Sequence, residues 1–96
     1  MKVQELLSDE SKWTQHVFAK NSQGVPTDST SPFACRWCLI GAVNRCYPTA
    51  EERRLVLVKL NSALGNMGHP KTYIIVDYND THTFPEIKKL VDALDI

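Results

Sequence analysis

Ninety-six residues, 43% of them hydrophobic and 23% charged, are enough for one hydrophobic core and lie far from the composition of a disordered chain. Eleven basic and eleven acidic side chains cancel to zero formal charge, which leaves no global field to gather nucleic acid or anionic lipid. The expectation is one domain over residues 1–96, with neither nucleic acid nor membrane as partner.

No apolar run is long enough to cross a bilayer, and Met1 to Glu5 lack the apolar centre of a secretory leader. Three cysteines do not make a disulfide framework, so free thiols and a cytoplasmic location are expected.

Val3, Leu6 and Leu7 recur at helical spacing and predict a short amphipathic helix over about residues 2–11. Trp13, Thr14, Val17 and Phe18 favour extended structure up to Lys20, and Asn21-Ser22-Gln23-Gly24 supplies a turn before Val25-Pro26-Thr27. This reads as a hairpin whose second arm, carrying Pro26, stays at a sheet edge. Ser31 and Pro32 then have the chemistry of a helix start, and a central helix is expected from Pro32 to Tyr47, ended by Pro48. On that helix Cys35, Cys38, Leu39, Ala42 and Cys46 would share one face and Phe33, Trp37, Ile40, Gly41 and Tyr47 the other, so the helix should be enclosed on both sides.

Thr49 and Glu52 have capping-box spacing, and Val56, Leu57, Leu60, Ala63 and Leu64 form the stripe of a helix from Ala50 to Leu64, with Gly65 as its stop. Arg53-Arg54 belongs to the solvated face of this helix. Tyr73-Ile74-Ile75-Val76-Asp77-Tyr78 is rich in β-branched and aromatic residues and reads as a buried strand able to pair with the hairpin. Thr83 and Glu86 repeat the capping-box spacing before a closing helix that carries Phe84, Ile87, Leu90, Val91 and Leu94. The predicted class is α+β: about four helices around a buried central helix, with a sheet of two or three strands.

Chemistry-bearing residues are few. Cys35 and Cys38 have the two-residue spacing of redox and metal sites. Cys46, however, would lie about 16 Å from Cys35 along a continuous helix, and His16, His69 and His82 show no paired ligand spacing. Packing of small thiols is the favoured reading, and no metal or cofactor is expected. Cys35 or Cys38 with one of the histidines, oriented by Asn79 or Asp80, is the weaker hydrolase-like alternative. The turn Tyr78 to Thr83 has equally good structural duties in its Asn, Asp and Thr side chains, and Trp13 and Trp37 fit core anchors better than stacking platforms.

Three pieces, Trp13-Thr14-Gln15, Arg36-Trp37-Cys38-Leu39-Ile40-Gly41-Ala42, and Tyr78-Asn79-Asp80 with Thr83 behind it, resemble a small family of uncharacterised bacterial and phage proteins. The family shows Trp-Thr-Gln, a hairpin, an Ala-x-x-Trp-Cys-x-x-Gly-Ala helix and an aromatic-Asn-Asp turn. Tyr78 stands where it more often has Trp. The resemblance implies an α+β domain with no assigned activity, and it fixes only Cys38 of the two thiols.

The leading expectation is therefore a non-enzymatic accessory or regulatory factor that binds a protein partner, with inhibition of a host protein as the phage-encoded version. The alternative is a small-molecule-binding domain or small enzyme whose site gathers Asp28, Trp37, Cys38, Asn79 and Asp80. Convergence of those five on one pocket would favour the alternative.

Overall fold

The computed structural model describes all residues from Met1 to Ile96. Its chain order is α1 (Val3–Leu6), a 3-10 turn (Glu10–Lys12), β1 (Ala19–Lys20), β2 (Arg36–Trp37), α2 (Leu39–Cys46), α3 (Ala50–Asn66), α4 (Ile75–Thr81) and α5 (Phe84–Leu94). The α+β class holds: helices dominate and β1 and β2 form a two-stranded antiparallel sheet. One cluster of buried side chains runs from Val3 through Leu39, Leu60 and Ile87 to Ile96. No helix is long and apolar enough to cross a membrane.

The expected first helix is interrupted. Leu7 leaves helical geometry at φ −91° and ψ 50°, and the Asp9 carboxylate accepts a hydrogen bond from the Ser11 amide at 3.0 Å, starting a separate 3-10 turn. The turn after β1 forms as expected: Asn21 Oδ1 accepts from the Gln23 and Val25 amides, and Gly24 takes φ +78°, a left-handed backbone that suits glycine. Its second arm is only an isolated bridge between Lys20 and Pro26. The regular partner of β1 is β2, with Ala19 opposite Trp37 and Lys20 opposite Arg36.

The largest correction concerns the central helix. It begins at Leu39, not at Pro32, because Arg36 and Trp37 are extended and paired with β1. Ser31 does bond locally, its hydroxyl accepting from the Phe33 amide, but only a turn follows, and Phe33 stands 75% exposed. Cys38 caps the shortened helix, its Sγ accepting the Gly41 amide at 3.3 Å. As the periodicity demanded, α2 is enclosed: it packs against α1, α3 and α4, with Leu39, Gly41, Ala42 and Val43 buried.

The α3 helix starts at the expected cap, where Thr49 Oγ1 accepts the Glu52 amide at 3.2 Å. It runs through Gly65, and Gly68, at φ +91°, supplies the left-handed exit instead.

The strand expected at Tyr73–Tyr78 is a second correction. Residues Ile75–Thr81 are the helix α4. The Asp77 carboxylate accepts from the Ile74 amide at 2.9 Å at the start of the helix, and the buried residues Ile75, Tyr78 and Asn79 follow a helical rather than an alternating period. Packing of that face overrides the strand preference of the β-branched run. The closing helix forms with the Glu86 carboxylate accepting from both the amide and the hydroxyl of Thr83 at 3.0 Å.

Candidate functional site

Asn79 joins the three elements that meet at α4. Its side chain is wholly buried, and all of its polar capacity is used. Oδ1 accepts from the Trp13 indole at 2.8 Å and from the Leu39 amide at 2.9 Å. Nδ2 donates to the Thr14 carbonyl at 3.2 Å and to Asp80 Oδ1 at 3.0 Å. Gln15 adds two bonds from Nε2 to the carbonyls of Asn79 and His82, both at 3.0 Å. Residues 13–15, the start of α2 and the end of α4 are thus one hydrogen-bonded knot.

That knot positions a groove. Beyond Gln15 the chain turns through His16, whose φ of +72° is left-handed, a conformation histidine adopts more readily than most residues. The His16 amide donates to Asp80 Oδ1 at 2.9 Å, and its imidazole Nδ1 lies 3.6 Å from Asp80 Oδ2. Val17 and Phe18 follow as a wall, and the Phe18 carbonyl accepts the Cys38 amide at 3.1 Å. A Cβ at Gly41 would lie 1.9 Å from the same carbonyl oxygen, so α2 can approach this wall only with glycine there. His16, Val17, Phe18, Cys38, Val76 and Asp80 enclose an open groove of about 340 Å³.

Of the five expected site residues, only two face the groove. Cys38 and Asp80 line it. Asn79 and Trp37 are buried and do not belong to its lining: the indole of Trp37 donates to the Ser29 carbonyl at 2.9 Å, and the Arg45 guanidinium lies 5.5 Å from its ring centre. Asp28 is exposed and lies outside the groove lining. The sequence alone offers His16 only as a candidate base or metal ligand and gives Val17, Phe18 and Val76 no place in a site. The left-handed turn that brings His16 onto Asp80 leaves no mark at that position, where glycine or asparagine would have signalled it.

The thiols are not arranged for redox work. Across Arg36 and Trp37 the chain is extended, which separates the Cα atoms of Cys35 and Cys38 by about 10 Å and turns their side chains to opposite faces, beyond disulfide reach. Burial raises the Cys38 thiol above its ordinary pKa despite the Gly41 amide, so at neutral pH the groove holds a protonated thiol rather than a nucleophilic thiolate. Burial likewise pushes Cys46 up to about 11. No three His, Cys, Asp or Glu side chains group as a metal-ligand set.

No curated protein and no solved structure matches this chain. Residues 1–94 match the model of a family whose description is "Family of unknown function (DUF6197)", and the chain belongs to that family.

Proposed function

We propose that this protein is a non-enzymatic binding module, an accessory or regulatory factor that seats an apolar side chain and an adjacent basic group of a protein partner in the groove beside Asp80. The observation that carries this reading is the composition of the groove. Val17, Phe18 and Val76 present apolar walls, and Phe18 stays 55% exposed. Asp80 uses Oδ1 to hold the fold, while Oδ2 has only the distant His16 ring beside it. An apolar cleft ending in one carboxylate oxygen complements a lysine or arginine next to a hydrophobic residue. The protonated Cys38 thiol argues against a covalent hydrolase. We place the module in the cytoplasm, where its three free thiols stay reduced.

The small-molecule alternative keeps one observation in its favour, since a volume of about 340 Å³ lies within the range of ordinary ligand pockets. A peptide-display selection separates the two. Enrichment of apolar-basic pairs, with binding weakened about tenfold by Asp80→Asn and by Phe18→Ser, supports the partner reading. Enrichment of sequences without a basic residue, or binding indifferent to both substitutions, refutes it. Saturable chemical-shift changes at the groove with a free amine fragment, in the absence of any selected peptide, transfer the site to a small ligand.

A further inference from the structure

Helix α3 has two apolar sides. Val56, Leu60 and Leu64 face the core, yet Leu55 and Val58 point away from it, 62% and 56% exposed. At 100° per residue Glu51, Leu55, Val58 and Ser62 fall within about 60° of one another on the outer face. Glu52 and Lys59 border this stripe on one flank, and with Leu55 they edge a shallow depression of about 300 Å³ that also involves Tyr47.

The charges along the stripe have a direction. Glu51 and Glu52 precede Leu55 by one turn, and Lys59 follows it by one turn. None of the three takes part in the ion pairs of the chain, which join Lys2 to Asp95, His16 to Asp80 and Lys88 to Asp92. Arg54, on the other flank, balances the remaining acid, so the outer face of α3 carries two acids and two bases, while Asp95, which also lines the depression, is paired with Lys2.

We infer that the partner of this face is a second copy of the same chain, docked with the two α3 helices antiparallel and crossing at Leu55. A two-fold axis there stacks Leu55 on Leu55 and brings the acidic end of each stripe against Lys59 of the second copy, twice by symmetry. A parallel arrangement would set acid on acid and base on base, so the charge order selects one orientation. This interface is on a different helix from the groove beside Asp80, and its success or failure leaves that reading untouched.

Sedimentation velocity over a concentration series tests the inference. The wild-type mass should rise from 10.9 kDa toward twice that value, and Leu55→Asp should hold the protein monomeric, with circular dichroism confirming its fold. Lys59→Glu leaves the patch with three acids against the single base Arg54, and Glu51→Lys with Glu52→Lys makes it wholly basic. Each variant alone should dimerise at least about tenfold more weakly, and an equimolar mixture of the two should recover a heterodimer. A wild-type protein that stays monomeric up to about 1 mM, a dimer indifferent to Leu55→Asp, or charge variants that do not pair when mixed, overturns it.

Discussion

Replacing Asn79 by alanine should be the most damaging single truncation in the region around the groove. It strips partners from the Leu39 amide, the Trp13 indole and the Thr14 carbonyl at once. Each buried polar group left unpaired costs about 1–3 kcal/mol. Trp13 is half-buried and can recruit water, so its share is small and the sum is about 3–5 kcal/mol. A chain of 96 residues has a total stability of about 5–14 kcal/mol, so the loss is a large part of the whole. Asn79→Asp is the informative companion. A carboxylate keeps the two acceptor bonds but cannot donate to the Thr14 carbonyl, and it places a second negative charge against Asp80. Burial and that neighbour raise the folded pKa of the introduced acid above its unfolded value. Its stability is therefore present at low pH and lost as pH rises through the folded pKa. Urea unfolding of wild type, Asn79→Ala and Asn79→Asp at acidic and neutral pH measures both effects. The aspartate variant should recover relative to wild type on acidification and the alanine variant should not. A cost for Asn79→Ala below about 1 kcal/mol, or identical pH profiles for the two variants, refutes the reasoning.

Two further outcomes follow from single contacts. Gly41→Ala forces a methyl group against the Phe18 carbonyl, where the ideal position lies 1.9 Å from the oxygen. Backbone cannot yield as a flexible side chain can, so the cost should be about 2–3 kcal/mol in thermal or urea unfolding; a neutral result would mean that α2 and the residue 18 segment slide apart freely. On the alkaline side, Cys46 titrates near 11 in the fold against 9.0 as the ordinary thiol value. A pKa raised by folding stabilises below the unfolded value and ceases to do so as pH rises through the folded one. Stability should therefore fall between pH 9.0 and about 11 more steeply in wild type than in Cys46→Ala, as followed by urea midpoints.

What the sequence revealed of the fold depended on whether the signal was local. The caps at Thr49 and Thr83 and the turn at Asn21 to Gly24 are made by neighbours in the chain, so spacing alone located them. The pairing of β1 with β2 joins Ala19 to Trp37 across a long connection, and no pattern within either segment encodes it. The start of α2 is hidden from local signals for the same reason. Ser31 and Pro32 carry every local signal of a helix start, yet the amide that needs a partner is that of Leu39, and it receives one from Asn79 on α4. The β-branched run at residues 73–78 failed in the opposite sense, because its strand propensity is weak beside the burial of Ile75, Tyr78 and Asn79 on one helical face.

The same distinction explains the candidate site. Trp13-Thr14-Gln15, the Trp37 to Ala42 piece and Tyr78-Asn79-Asp80 stood out in the sequence as separate motifs, and the structure makes them one object: Trp13 and Leu39 share a single oxygen of Asn79, while Gln15 secures the carbonyls at the end of α4. Most of these residues are therefore occupied in holding three segments at a fixed separation. The groove is what this separation leaves open, and its walls at His16, Val17, Phe18 and Val76, exposed or half-buried, lie beside the motif residues instead of among them. A scaffold specified by demanding, fully used polar groups can tolerate change in the apolar side chains at its edge, because those chains bond to nothing the fold requires. Residues that are easiest to read in this sequence are those that build the site, and apart from Cys38 and Asp80 the side chains that face the groove are those that local chemistry leaves free.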